Sequence, residues 1–431
     1  MIKNNRFLGI TNFIFIFCLS INIFGNLFGN IADNNKLEKT SNLLVPEHPE
    51  FGEPKKLENQ NKNITVRVLL KEEINPDAIS WKISLKDITN LDALSKANKT
   101  NSGFTISSSG TKSRNIDATE LNISVRGGKF YINGKKVLKD FIIIKSNNND
   151  LDIRDSNLVF DGVAYDGSFV LVKFEDKFYL LNFVDLESYV SSVLYGESWP
   201  GWPVDINEVF AIMCRTYVVS KIIEARKRKN KKQFDVKATN HHQTYKGYHE
   251  FTNLIEAVEN TKSVVVTHNG NPINAMYDCC CGGIITAHSV GQVNFKHAPY
   301  LSRAYACTHC KDAKIFNWVA DYSAHNLLKI MGPEYKYLKL IKDVQITKYD
   351  KAGIVREVKI IGANNTHAIL TGKKVYNLLK NVKSLLFEVV KKGNKITFKG
   401  QGYGHLMGLC QWGARQMVKD GWGYKQVLRF Y

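Results

Sequence analysis

The stretch Val184-Asp-Leu-Glu-Ser-Tyr-Val-Ser-Ser-Val-Leu-Tyr-Gly-Glu-Ser-Trp-Pro-Gly-Trp-Pro203 decides the fold, because the chain changes its period there. Asp185 is an N-cap type of residue, and Leu186, Tyr189, Val190, Val193 and Leu194 follow at helical spacing. Gly196, Pro200, Gly201 and Pro203 then stop the helix and leave a rigid, aromatic-rich loop that carries Glu197. A second, longer helix is predicted over about 205–228.

Upstream the period is two. Ile64-Thr-Val-Arg-Val-Leu-Leu70, Ile79-Ser-Trp-Lys-Ile-Ser-Leu85 and Phe169-Val-Leu-Val-Lys-Phe174 alternate as strands do, and Asn133-Gly134 and Asp166-Gly167 supply turns. The expectation is an α+β protein, mainly β over its N-terminal region at 64–160 and mixed α/β from 161 to 431. Residues 31–63, rich in Asn, Lys and Glu with Pro46, Pro49 and Pro54, have linker composition. Before them, Lys3 and Arg6 precede an apolar run ending near Phe28, so 1–30 reads as a signal peptide or a membrane anchor, and the protein as exported to the cell envelope. The expected location is the periplasm, or the cytoplasmic membrane if the leader is kept.

With 431 residues the chain can bury two cores, and its net charge of +19 asks for an anionic neighbour. Export argues against nucleic acid, and the basic run Arg226-Lys-Arg-Lys-Asn-Lys-Lys232 lacks the interleaved aromatics of a base-stacking groove. Lipid headgroups or an acidic wall polymer remain. Cysteines cluster at Cys279, Cys280, Cys281, Cys307 and Cys310, whereas Cys214 and Cys410 stand alone. Disulfides or free thiols are the first reading outside the cytoplasm; a structural zinc held by His241 or His242 with Cys281, Cys307 and Cys310 is the rival.

Near the end, Gly400-Gln-Gly-Tyr-Gly-His-Leu-Met-Gly-Leu-Cys-Gln-Trp-Gly-Ala414 crowds glycines around His405 and Gln411. A dinucleotide fingerprint would need glycine where His405 stands, and no Gly-Lys-Ser/Thr follows, so phosphate cradling is excluded. Lys395 to Lys399 alternates as a strand and 408–418 reads as a helix, which makes the glycines a strand-to-helix connector. Spacing alone leaves the chemistry open. Glu197 lies between Leu194-Tyr195 and Trp199, the apolar setting that raises a carboxyl pKa, but a loop glutamate also caps backbone amides. Asp185 and Glu187, at the start of the helix, fit N-cap and macrodipole roles better than catalysis. Tyr277-Asp-Cys-Cys-Cys-Gly-Gly283 offers a thiol nucleophile with His288, His297 or His405 as base, or a turn whose backbone donors meet a ligand; the turn is favoured.

Taken together, five segments in order resemble the sporulation stage II protein D family, the SpoIID/LytB domain, over roughly 161–431. They are Val184 to Val190 leading into Leu194-Tyr-Gly-Glu197; Arg215-Thr-Tyr217; His241-His-Gln-Thr-Tyr-Lys-Gly247; Cys281-Gly-Gly283; and Gly402 to Ala414. The resemblance implies a peptidoglycan lytic transglycosylase that cleaves the β-1,4 bond between N-acetylmuramic acid and N-acetylglucosamine, with Glu197 as catalytic acid/base and 1,6-anhydro-muramoyl ends as product. It further implies a substrate groove contacted by Arg215, Tyr245, Tyr277, Gly282, Gly283, His405 and Gln411; for Arg215, on the second helix beside Tyr217, orienting Glu197 or simply anchoring that helix are equally open roles. No cofactor is required on this reading. An alternative role is that of a non-catalytic, peptidoglycan-binding enhancer of a cell-wall amidase. Family members with a zinc segment carry cysteine where this chain has Lys237 and His242, and many have Ser-Gly-Gly followed by an acid where Cys281-Gly-Gly stands here.

Overall fold

Where the sequence alternates, strands pair. The computed structural model describes residues 55–56, 64–86, 103–108, 112–147, 158–227 and 232–431. The leader, the linker apart from Lys55–Lys56, and the middle of the basic run fall outside these residues. The chain divides into two compact units, Lys55–Val266 and one whose described part begins at Thr267 and runs to Tyr431.

The first unit is built on two sheets. One has seven strands in the order Val236–Lys237, Thr65–Glu73, Lys177–Asp185, Ser168–Phe174, Phe141–Ser146, Phe104–Ser107 and Arg114–Ile116. It is antiparallel except where Val236–Lys237 joins the edge in parallel. The other has six: Val163–Tyr165, Leu158–Phe160, Ser80–Leu85, Glu120–Arg126, Lys129–Ile132 and Lys135–Lys136. The sheets meet through aromatic rings, Phe130 on Phe178 at 5.5 Å and Phe160 on Phe169 at 6.3 Å, with Ile83, Leu121, Ile142 and Ile144 fully buried. Both central strands of the larger sheet are buried along most of their length, so Val170, Val172, Leu181 and Tyr179 close a second core with Phe234. Turn chemistry behaves as read: Asn133 and Gly134 both adopt positive φ, the conformation of a two-residue hairpin turn.

Lys177–Asp185 runs directly into helix α1, Leu186–Glu197, whose first turn is capped by Asp185 accepting from the Glu187 amide at 2.8 Å. Helix α2, Val204–Lys227, and helix α3, Thr252–Asn260, pack beside it. Arg215 of α2 holds the three together. Its guanidinium forks onto both carboxylate oxygens of Glu187 at 2.6–3.1 Å and donates to the carbonyls of Val258 and Val264 at 3.2 Å. Glu187 also accepts from the Ser263 amide at 3.1 Å. Of the roles open to Arg215, substrate contact, orienting Glu197 or anchoring its helix, the structure shows the internal anchor with no exposed surface, and Glu187 is its counter-ion rather than a simple helix-dipole residue.

The second unit has two three-stranded antiparallel sheets. One is Asn317–Ser323, Lys395–Gln401 and Phe387–Lys392; the other is Asp343–Tyr349, Val355–Ile361 and His367–Thr371. Helix α4, Ala324–Met331, and helix α5, Gly372–Leu378, share a core with them made of Leu327, Met331, Val358, Leu370, Val375 and Phe398. Helix α6 begins at Gln411, not at 408, and runs to Lys419; helix α7 is Tyr424–Phe430. The delay has a cause. Leu409–Cys410 pairs in parallel with Tyr277–Asp278, and Gly408 sits at φ +75°, so neither can join a helix. Among the described residues no helix is long and apolar enough to cross a membrane.

Removing one side of a buried ion pair strands the other charge. Arg215→Met keeps the stem and deletes the fork, and is expected to lower the unfolding free energy by about 3 kcal/mol, read as a shifted urea midpoint. A loss below about 1 kcal/mol would mean that water replaces the guanidinium and that the helices do not depend on it.

Candidate functional site

Glu197 is the last residue of α1 and only 9% exposed. Its Oε1 accepts from the Thr244 amide at 2.6 Å, a partner 47 positions away that the sequence did not suggest. Gly196 makes the meeting possible: a Cβ there would stand inside the radius of the Thr244 carbonyl oxygen, so only glycine lets the 238–249 loop lie flush on the helix end. The loop is then fastened at several points. The Lys246 amide donates to Ser192 Oγ at 3.1 Å, His249 Nε2 stands 3.0 Å from the Ser191 carbonyl, and the Tyr248 amide donates to Ala164 O at 2.8 Å.

Beneath the loop lies a column of phenols. Tyr245 stacks on Tyr189 at 5.3 Å, tilts against Tyr165 at 5.8 Å, and donates its hydroxyl to Asn182 Oδ1 at 2.6 Å. Tyr189 in turn donates to Gln243 Oε1 at 3.2 Å. Burial pushes both phenols well above their ordinary range, so they stay neutral donors; Tyr189 also feels the charge of Glu197. Tyr217 is likewise raised, first by burial, then by Glu224 and Glu197. Tyr245, a residue expected to touch substrate, thus has its ring inside the unit. What faces outward near Glu197 is Trp199, 45% exposed two positions later, with its indole lying on Gly201. Tyr195 packs at 5.0 Å on the exposed ring of Phe251. His241 and His242 also belong to this unit, where His242 Nδ1 accepts from the Lys237 amide at 3.3 Å and burial holds its imidazole down to about 3.

The remaining expected residues lie in the second unit. Tyr277 and Asp278 pair with Leu409 and Cys410, and this short parallel ladder draws the glycine-rich segment against the Cys281 turn. Tyr403 and Cys280 bridge the same two segments with amide bonds of 2.7 and 3.0 Å. Asp278 is buried; its Oδ2 accepts from the Leu406 amide at 2.5 Å, and Leu406 holds φ +67°, an unusual conformation for a branched side chain. Burial pushes the Asp278 carboxyl well up. Gly282 and Gly283 both have positive φ, which explains the paired glycines as a turn; a Cβ on Gly282 would press on the Gln401 carbonyl. Gln411 is buried at the first position of α6. His405 accepts at Nδ1 from the Met407 amide at 3.1 Å, which assigns the neutral ring its proton on Nε2. Desolvation, partly opposed by a hydrogen bond with the Tyr277 backbone, lowers its pKa to about 4.

A separate constellation gathers four buried thiols, Cys281, Cys307, Cys310 and Cys410, with their sulfurs all within 4.8 Å of one another. No disulfide joins any two of the described cysteines. Cys410, read from the sequence as isolated, completes the set in place of the two histidines.

Comparison with known proteins places this geometry. The profile of the Stage II sporulation protein family, SpoIID, matches residues 175–268, and a domain of unknown function matches 295–408. An uncharacterised protein of Brachyspira hyodysenteriae is 30% identical over 294 residues, which cover 66% of this chain and 77% of that protein. An amidase enhancer of Bacillus subtilis is 24% identical over 362 residues, 73% of this chain but 49% of the relative. Stage II sporulation protein D of the same organism is 22% identical over 268 residues, 58% and 73% of the two chains. The matched 175–268 segment holds Glu197, Arg215 and Tyr245, whereas Tyr277, Gly282, Gly283, His405 and Gln411 lie beyond it.

Two measurements check this description. Gly196→Ala should destabilise by about 1–3 kcal/mol through overpacking, although alanine is the better helix former; a neutral or stabilising result in chemical unfolding would mean the loop does not lie where described. Because the His405 pKa is about 4 when folded against 6.5 otherwise, the unfolded chain takes up the proton first as pH falls. Its contribution to stability is thus complete above about pH 6.5 and lost toward pH 4. His405→Asn, which keeps an acceptor for Met407, should flatten that part of the thermal-midpoint profile between pH 7 and 4; an unchanged slope refutes the assignment.

Proposed function

This chain belongs to the SpoIID family, and from that premise we propose that it is an exported cell-envelope protein that cleaves peptidoglycan glycan strands as a lytic transglycosylase, with Glu197 as the acid/base. The observation that carries the reading is the seat of Glu197: a buried carboxyl at the end of α1, gripped by the Thr244 amide and followed by an outward-facing indole. An acid/base must visit two protonation states. Burial works for the neutral carboxyl and the Thr244 amide for the carboxylate.

In the proposed reaction, protonated Glu197 gives its proton to the glycosidic oxygen as the bond to the muramoyl anomeric carbon breaks, releasing the N-acetylglucosamine 4-hydroxyl. The resulting carboxylate then accepts the proton of the muramoyl 6-hydroxyl as that oxygen attacks the anomeric carbon. A 1,6-anhydro ring forms, water is not consumed, and Glu197 ends protonated. A single carboxyl suffices because the nucleophile is intramolecular, unlike the paired acids of hydrolases. Trp199, with an exposed face, suits stacking on a pyranose ring. Within the second unit, Tyr277, Gly282, Gly283, His405 and Gln411 are proposed as glycan-binding residues in their own right, and the net charge of +19 suits an acidic wall. The likeness to an amidase enhancer supports a second reading, in which the same surface binds glycan and positions a cell-wall amidase.

Purified protein and Glu197→Gln, incubated with peptidoglycan and analysed by mass spectrometry of the soluble muropeptides, separate these readings. The wild type should release anhydro-muramoyl ends, and the variant should be slower by about a hundredfold or more. Reducing ends would indicate a hydrolase. Binding to sacculi with no release by either protein would leave the enhancer.

A further inference from the structure

We infer that Cys281, Cys307, Cys310 and Cys410 form a tetrathiolate site for one zinc ion, closed to substrate and structural in role. The four sulfurs converge on a common centre instead of separating into pairs, all lying within 4.8 Å of one another, with Cys281 and Cys310 3.7 Å apart. Tetrahedral zinc with Zn–S bonds of about 2.3 Å requires sulfur–sulfur edges of about 3.8 Å. A small contraction therefore seats the ion, and a disulfide would pull two of the sulfurs to about 2 Å and abandon the others.

The surroundings are those of thiolates. Cys410 Sγ accepts from the amides of Cys281 and Gly413, both at 3.3 Å, and caps the N-terminus of α6. The Tyr431 hydroxyl stands 3.2 Å from Cys307 Sγ. Such donors offset the charge that four thiolates leave on a divalent ion. Gly413 reports how tightly the shell is drawn: a Cβ there would collide with the Tyr431 hydroxyl and lie 3.0 Å from Cys307 Sγ. Cys307 and Cys310 carry the two-residue spacing common in zinc knuckles, the third ligand precedes the Gly282-Gly283 turn, and the fourth comes from the glycine-rich segment. Four protein ligands leave no open position, so the ion ties together the segments that present Tyr277 and His405 and takes no part in bond cleavage. The inference is independent of the glycan reading.

The full chain, purified under reducing conditions without chelator, should contain about one zinc per molecule by elemental analysis. Cys310→Ser and Cys410→Ser should retain less than about a tenth of it, and Cys279→Ser, outside the set, should retain it all. If the ligand variants fail to fold, cobalt exchange into the wild type decides: the absorption of tetrahedral cobalt thiolate is expected. Stripping the ion should release four titratable thiols and lower the thermal midpoint. A metal-free protein that gives no cobalt spectrum, iron in place of zinc, or a mass reduced by the hydrogens of two disulfides would each overturn the assignment.

Discussion

A single guanidinium organises the first unit. Arg215 reaches from the middle of α2 to the first turn of α1 and to carbonyls at the end of α3 and beyond it, so three helices share one set of hydrogen bonds. Buried charge of this kind tolerates little movement, because every partner lost leaves an unsatisfied donor in the interior. The start of α1 is thereby fixed, and with it the position of the other end of this 12-residue helix, where Glu197 stands. Distance from Glu197 does not make the pair incidental: the position of that carboxyl depends on the clamping of the rod that carries it.

How much of this could be read in advance depends on the range over which each cause acts. Asp185 marked the start of α1 because an N-cap acts on the amides of the first turn, whereas Gly196, read as a helix stop before a loop carrying Glu197, lies inside α1, which ends only at Glu197. The strands were legible because alternation is local, and Asn133-Gly134 formed the turn its residues require. Glu197 stood out once the segments were taken in order, but Thr244 did not. Its part depends on Gly196 leaving the space of a side chain to a loop that follows far along the sequence, which no local pattern records. Glu187 was understood only in part, since its dipole role is local and its ion pair is not.

The second unit shows the same limit in another form. Cys410 looked solitary because the pairing that brings it to Cys281 is only two residues long, too short to leave a period in the sequence. The start of α6 was placed three residues early for the same reason. Strand pairing at Leu409 and positive φ at Gly408 overrode a run that is otherwise compatible with a helix. The dense glycines first suggested an approach to a ligand; at Gly402 and Gly408 they serve an approach between backbones, each admitting a carbonyl where a Cβ would stand.

The phenol column beneath the 238–249 loop has a kinetic meaning. To swing outward, that loop would have to break the Tyr245 hydrogen bond to Asn182, unstack two rings and release Ser192, all at once. Elements so fastened do not serve as lids, which are drawn from weakly held segments. The proposed site is consequently a fixed tool, and the flexible partner is the glycan. In the proposed reaction, whatever strain is needed is then imposed on the sugar ring, with binding energy from neighbouring saccharides supplying it. On that proposal, turnover on long strands outpaces turnover on short fragments, which lack the saccharides to grip.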